Sequence, residues 1–182
     1  MAYRCRKVRE SDLETLMRFR MEEHVTKYLN TDPVLTLESQ KKWFDQMIAK
    51  GEFYYWVLEV DDKISGVLNL HDMDNSNKRC TWGYYVADKK ARSLHLSLSL
   101  EMSIYDFAFD VLRLNKVVSE SFCDNVAAVK LHEICGCDTE GVLKQHIYKK
   151  GIFYDVVFQA MFAKKWRETR GKFSYEKIEF EG

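Results

Sequence analysis

A single α/β domain, built on one mixed, mostly antiparallel sheet with helices on both faces, is the fold class this sequence predicts, and three observations lead there. The chain has 182 residues, 46% of them hydrophobic, which suits one core at the ~100–200 residues typical of a domain. Its first half carries β-rich runs at hairpin spacing, and its second half alternates strand-like runs with helical periodicity. A meander followed by strand–helix alternation places helices on both faces of one mixed sheet.

Tyr3 to Arg9 reads as a short strand, and the Ser11 and Glu14 spacing reads as a capping box opening a helix toward Arg20. Thr31-Asp32-Pro33 makes a turn. Thr36 then caps a helix with Leu37, Gln40, Phe44, Met47 and Ile48 on roughly one side, ending at Gly51. Tyr54 to Val60 and Lys63 to Leu70 form a hairpin across Asp61-Asp62, and a polar turn, Asp72 to Lys78, leads to a third strand, Cys80 to Val86. Leu100, Ile104, Phe107, Ala108, Val111 and Leu112 recur at three- and four-residue steps, so a long helix should pack its apolar face on the sheet. Lys116 to Phe122 is a strand, Asn125 to Cys135 a helix, and Asp155 to Phe162 a late strand paired with Glu140 to Tyr148. The domain is expected over residues 1–166. A charged tail, 167–182, carries Phe173, Tyr175, Ile178 and Phe180, which could dock on a second copy if the chain forms a homodimer.

Lys plus Arg and Asp plus Glu each total 28, so no net field favours nucleic acid or an anionic membrane. No apolar run approaches the ~20 residues of a spanning helix, and the start lacks a signal core; a cytoplasmic protein is the expectation. The five Cys are odd in number and lack a Cys-x-x-Cys pair. Reduced packing thiols are expected, and no metal.

The densest local pattern is Asn125-Val-Ala-Ala128-Val-Lys-Leu131-His132-Glu133-Ile-Cys-Gly136. Asn125 can cap the helix, Ala128 allows close backbone approach, and Gly136 can end the helix in a left-handed conformation. This segment resembles the Asn-x-x-Ala-x-x-Leu-Tyr-Glu-x-x-Gly-Phe stretch of the GNAT acetyltransferase superfamily, which lies beside the pantetheine arm of acetyl-CoA. His132 stands where that family usually has Tyr, and Cys137 where it usually has Phe. The element order is similar to the GNAT fold from Tyr3 to about Lys165. Tyr28-Leu-Asn-Thr-Asp-Pro33, Gln40-Lys-Lys-Trp-Phe44, Trp82-Gly-Tyr-Tyr85, Gly141-Val-Leu-Lys-Gln-His146 and Phe153-Tyr-Asp-Val156 resemble bacterial enzymes that N-acetylate a UDP-linked 4-amino-dideoxy sugar of pseudaminic acid (flagellin glycan) biosynthesis. Some of these phrases recur in GNATs acting on ribosomal proteins or spermidine.

The resemblance implies an acetyl-CoA-dependent N-acetyltransferase with a UDP-amino sugar as acceptor. Protein N-termini or polyamines are the alternative acceptors, and a non-catalytic CoA-binding module is the alternative from another class. The family's Gly-rich pyrophosphate cradle is replaced by Ala91-Arg92-Ser93-Leu94-His95-Leu96-Ser97, which has no Gly; Arg92 and the helix start favour phosphate, whereas an amphipathic helix start without a ligand is the alternative. Cofactor contacts are expected at Tyr84, Tyr85, Val86, Arg92, Ser93, His95, Leu96, Ser97, Asn125 and Ala128.

Acetyl transfer to an amine needs an unprotonated nucleophile, a stabilised oxyanion and a proton for the departing thiolate. Glu120, near its strand end, could take the amine proton, or is simply a solvated carboxylate. Backbone amides around Tyr84 to Val86 could hold the thioester if that strand splays from its neighbour. His132, with an unperturbed pKa of ~6.5, fits the acid's position; a helix histidine satisfied by a neighbour is the alternative. Arg20, Gln40, Trp43, His71 and Trp82 are the acceptor candidates, suited to diphosphate, uracil and a sugar's apolar face, with core packing or surface contacts as the alternative for each alone. Without a Ser-His-Asp pattern, direct transfer in a ternary complex is expected.

Overall fold

Seven strands form one sheet in the order β1-β2-β3-β4-β5-β7-β6. They are β1 (Tyr3–Lys7), β2 (Tyr54–Val60), β3 (Lys63–Asp74), β4 (Arg79–Val86), β5 (Lys116–Phe122), β6 (Asp138–Lys149) and β7 (Ile152–Phe162). Every neighbouring pair is antiparallel except β4 with β5. The helices are α1 (Leu13–Met21), α2 (Glu23–Thr26), α3 (Leu37–Lys50), α4 (Leu94–Asp106), α5 (Val126–Ile134) and α6 (Ala163–Thr169). The computed structural model describes residues 2–50 and 54–181, without the side chains of 47–50. The expected stop at Gly51 and the side chains of Met47 and Ile48 lie outside the described residues.

Alternation along the pleat sorts the core onto two faces. Trp56, Leu58, Leu68, Leu70 and Trp82 point to one face and meet Leu96, Leu100 and Ile104 of α4. Val57 and Val67 point the other way, onto Leu13 and Leu16 of α1. The β2–β3 hairpin turns on Asp61 and Asp62, both at positive φ (49° and 62°), as a two-residue turn requires to match the strand twist. Gly66, beside a bulge in this pair, is tied to β4: a Cβ there would sit 2.2 Å from the Tyr85 carbonyl oxygen.

Local signals were partly rerouted. Helix α1 is preceded by a 3₁₀ turn, Glu10–Asp12, and the expected Ser11–Glu14 box is not what anchors it. Asp12 does so, accepting from the Arg9 N–H (2.7 Å) and from the Arg6 guanidinium (2.7 and 2.9 Å); a buried cation on β1 outcompetes an exposed serine. Thr36 caps α3 as expected, its Oγ1 accepting from the Ser39 N–H while Ser39 Oγ accepts from the Thr36 N–H. Leu100, Ile104 and Ala108 are buried, but Val111 is 63% exposed. A π-helical turn, Phe107–Val111, with Leu112 N–H donating to the Phe107 carbonyl, rotates Val111 off the apolar face.

The segment 167–181 packs back on the same chain rather than standing apart. Ile178 is 1% exposed, and Phe180 packs on Trp56 and Phe107 at centroid distances of 4.9 and 5.3 Å. Phe180 also forms a parallel bridge with Cys5 of β1. The Ile178 N–H donates to Ser103 Oγ, and the Tyr175 hydroxyl to Asp106. Residues expected to meet a second copy thus complete this chain's own core around α4. No helix among the described residues is long and apolar enough to cross a membrane.

Candidate active site

The parallel pairing of β4 with β5 runs only from Arg79↔Lys116 to Trp82↔Ser119. Beyond it β4 continues to Val86 and stays paired with β3, while β5 continues to Phe122 and stays paired with β7. Gly83 to Val86 and Glu120 to Phe122 therefore diverge, and backbone groups of β4 are left free for a ligand. The splay that the thioester contact required is present.

A cavity of about 490 Å³ fills this wedge, bounded by Tyr84, Tyr85 and Val86 of β4, the start of α4, and Asn125, Ala128 and Leu131 around α5. Ser93 opens α4, its Oγ accepting from the Leu96 N–H at 3.1 Å. Among the described residues, none between Ala91 and Ser97 has positive φ, so the helix start forms without the missing glycines. Arg92 Nε donates to the Val86 carbonyl at 2.8 Å, which fastens the loop to the strand end. An acyl-CoA fits this arrangement, with free strand amides beside a helix N-terminus and an arginine at the rim.

Eight of the ten expected cofactor residues line this cavity: Tyr84, Tyr85, Val86, Arg92, Ser93, Ser97, Asn125 and Ala128. His95 and Leu96 do not. Helical geometry puts Ser93 and Ser97 on one face, turning Leu96 into the core and His95 toward the Tyr3 hydroxyl, 3.3 Å away. Asn125 lines the cavity, but its side chain makes no cap bond to α5. Gly136 ends that helix as expected, at φ 91°, with Cys137 N–H donating to the His132 carbonyl.

On the other side of Tyr84 and Tyr85 lies a second cavity, about 270 Å³, lined by Arg20, His71, Trp82 and Glu120 among others. A third, about 190 Å³, shares Arg20, Tyr55, Val67 and Tyr85 with it and adds Gln40 and Trp43. The five acceptor candidates and Glu120 thus converge on adjoining spaces. Trp82 is also core, stacked on Tyr84 at 5.4 Å. Burial pushes the Tyr55 phenol up to about 12, against the lowering effect of Arg20, and raises Tyr84 and Tyr85 as well. These phenols stay protonated at neutral pH and can donate hydrogen bonds.

His132 lines none of these cavities; its ring lies edge-on to Trp82 at 5.8 Å. Its Nδ1–H donates to Oε1 of Glu101 at 2.9 Å, and the Tyr105 hydroxyl donates to the same oxygen at 2.6 Å. Glu101 is fully buried, and its Oε2 has no partner. With Cys137, this group brings three metal-capable side chains within 4.8 Å of one another; Glu101 Oε1 is engaged by His132 and Tyr105, and Oε2 is not engaged.

All five cysteines are free thiols: Cys5, Cys80, Cys135 and Cys137 buried, Cys123 exposed. Burial pushes Cys5 and Cys80 up to about 12 and raises Cys123, Cys135 and Cys137, so none is a ready thiolate nucleophile. Reasoning from sequence gave no site role to Tyr28 and Leu29, which line both the wedge cavity and the acceptor one, or to Glu101, on the buried side of α4. Tyr55 was in view only as part of a β-rich run.

Comparison with known proteins agrees with this geometry. The family model "Acetyltransferase (GNAT) domain" matches residues 5–158. The SPbeta prophage-derived uncharacterized N-acetyltransferase YokL of Bacillus subtilis (strain 168) is 28% identical over 134 residues, covering 73% of this chain and 75% of YokL. The uncharacterized N-acetyltransferase YoaA of the same organism is 24% identical over 155 residues, 82% of this chain and 87% of its own. Among solved structures, spermidine N-acetyltransferase from Vibrio cholerae in complex with CoA and spermine superimposes with a TM-score of 0.85 at 18% identity, over 91% of this chain and 98% of that one. With the model covering most of its length and the strand wedge in place, the chain belongs to the GNAT family of acetyltransferases.

Proposed function

We propose that this protein transfers the acetyl group of acetyl-CoA directly to a primary amine of a small molecule, with a polyamine or shorter diamine as the best-supported acceptor. One observation carries the reading: two cavities meet at Tyr84 and Tyr85, the larger in the strand wedge and the smaller holding Glu120. Glu120 is the acidic residue among those lining the acceptor side, where it can hold the ammonium and take its proton. Acetyl-CoA, when bound, supplies the activated acyl carbon. The free backbone of Gly83 to Val86 then orients the thioester and stabilises its oxyanion. Tyr84 lines both cavities with a protonated phenol and is the proposed hydrogen-bond donor for the departing thiolate. His132 can serve as the acid only if its free nitrogen reaches the thiolate past Trp82 and Tyr84. The raised thiols support direct transfer over an acyl-cysteine. The likeness in fold to a spermidine acetyltransferase supports the polyamine class.

A UDP-amino sugar is the second reading, favoured by Arg20. Among the described residues, no carboxylate pairs with this guanidinium, which instead donates to the Thr31 carbonyl and hydroxyl, beside Gln40 and Trp43. A mass-spectrometric assay of acetyl-CoA with polyamines, UDP-amino sugars and peptides decides between them. Acetylated spermidine or putrescine without inhibition by UDP supports the first reading, inhibition by UDP with no polyamine product the second, and no turnover on any amine sinks both.

A further inference from the structure

Strand β6 is exposed along almost its whole length, and its one buried residue is a lysine, Lys149. The two-residue turn that follows, Lys150-Gly151 at φ 49° and 79°, fixes where this residue projects. Burying an ammonium is unfavourable unless it is hydrogen-bonded and charge-balanced. Here both conditions are met by one distant segment. Lys149 Nζ donates to the carbonyls of Thr26 and Leu29, the latter at 2.9 Å, and lies 3.5 Å from that of Lys27. Asp32 Oδ1 lies 3.4 Å away as counter-charge, an ion contact rather than a directed hydrogen bond.

Thr26 is the last residue of α2 and Lys27 its C-cap, where a cation is favourable, while Leu29 lies in the turn beyond. That turn has no regular secondary structure and one backbone bond of its own, Leu29 N–H to the Thr26 carbonyl at 2.9 Å, so the lysine adds to a sparse set of backbone ties. Yet Tyr28 and Leu29 line both the wedge cavity and the acceptor one, and Asn30 and Thr31 line the latter. Arg20 secures the far end through Thr31.

We propose that Lys149 is a positioning residue: it ties residues 26–32 to the β6–β7 hairpin and so holds the roof shared by the cofactor and acceptor cavities. This rests on the assignment of acetyl-CoA and its acceptor to those two spaces. Lys149 touches neither cavity, and its effect on binding passes through Tyr28 and Leu29.

The test compares Lys149→Met, which keeps length and loses charge and donors, with Lys149→Arg and the wild type. Three readouts are taken: hydrogen exchange of peptides spanning 26–32, calorimetric acetyl-CoA affinity, and the acceptor KM against kcat. Losing hydrogen bonds to a charged group should speed exchange in 26–32 and raise the acetyl-CoA Kd and acceptor KM by about tenfold. Turnover at saturation should stay within about threefold, because no reacting group is lost. Lys149→Arg should recover part of both effects. A folded Lys149→Met protein with exchange, Kd and KM all within about twofold of wild type overturns the proposal. So does faster exchange with unchanged Kd and KM, which would leave Lys149 a structural tie only. Should Lys149→Met fail to fold, Asp32→Asn removes the counter-charge of Lys149 together with a contact to Lys150 at 3.7 Å; it must shift the same readouts in the same direction while Lys150→Met does not, or the proposal falls. Failure of the acetyl-transfer reading looks different: wild-type protein that binds no acetyl-CoA, with the exchange difference intact.

Discussion

Replacing His132 with Phe should cost more in stability than the loss of one ring contact, because it strands a charge. Glu101 is fully buried, its Oε2 has no partner, and Oε1 is shared by His132 Nδ1–H and the Tyr105 hydroxyl. Removing one partner of a buried pair costs ~3–5 kcal/mol, and the surviving Tyr105 bond sets the expectation near the low end, about 3 kcal/mol. At roughly 2–4 °C per kcal/mol for a chain of this size, the melting temperature should fall by about 6–12 °C. Urea unfolding followed by tryptophan fluorescence reads the difference. The double variant Glu101→Leu/His132→Phe removes the stranded charge and should recover much of the loss, since apolar replacement of a buried pair is often neutral. A single variant within about 1 kcal/mol of wild type, or a double variant no more stable than the single, would refute the reasoning. The same protein tests chemistry. Under conditions where it is fully folded, single-turnover transfer slowed ~100-fold identifies His132 as the acid, and an unchanged rate makes it a structural partner of Glu101.

Arg92→Ala removes the guanidinium at the rim of the larger cavity while freeing the Val86 carbonyl; acetyl-CoA affinity by calorimetry should fall about tenfold, and that of a pantetheine fragment without the pyrophosphate should change much less. Gly66→Ala places a methyl 2.2 Å from the Tyr85 carbonyl oxygen, so urea unfolding should show ~1–3 kcal/mol of destabilisation, with weaker acetyl-CoA binding because β4 must shift. Ile178→Ala opens a void in the core sealed by the C-terminal segment and should cost ~2–5 kcal/mol in the same assay. Asp12 supplies a pH test: burial opposes its ionisation, but the Arg6 guanidinium and the Arg9 N–H hold its carboxyl below the ordinary 3.8. Its contribution is therefore complete above that value and is lost as pH falls through the lowered folded value; Asp12→Asn should show a flatter acid limb in stability-against-pH curves.

What was legible in the sequence was local. Gly136 stops α5 and Asp61-Asp62 turns the hairpin because both signals act within a few residues, and the β-rich runs on either side of that turn marked the strands. The splay of β4 from β5 was not legible: it entered only as a condition that the family resemblance implied, and the register of the parallel pair, which stops at Trp82↔Ser119, is what shows it. Long-range pairing stayed hidden. His132 found Glu101, 31 residues earlier, across the helix packing; Asp12 displaced Ser11 as anchor over only six residues, because the end of β1 turns the Arg6 guanidinium onto it. The helix start at Ser93 shows a third kind of miss. Of Arg92, Ser93, His95, Leu96 and Ser97, all expected to face the ligand, the helix turns His95 and Leu96 away, and it presents Leu94, which was not expected there. Lys149 gave no signal at all, because nothing in its neighbours distinguishes a buried lysine from an exposed one.

The bridge between Cys5 and Phe180 also bears on the order in which the protein can fold. Lys7 N–H donates to the Glu181 carboxylate across 174 residues, and Trp56 Nε1–H to the Glu181 carbonyl. During synthesis β1 can pair with β2 early, but its outer edge stays open until residues 178–181 emerge and dock. An unpaired edge is a template for other chains, and long-range closure is slow. A nascent chain stalled before residue 178 would therefore present both an open β1 edge and the uncovered side of Trp56. Truncation within this segment should be felt in the yield of soluble protein during expression before it is felt at the active site.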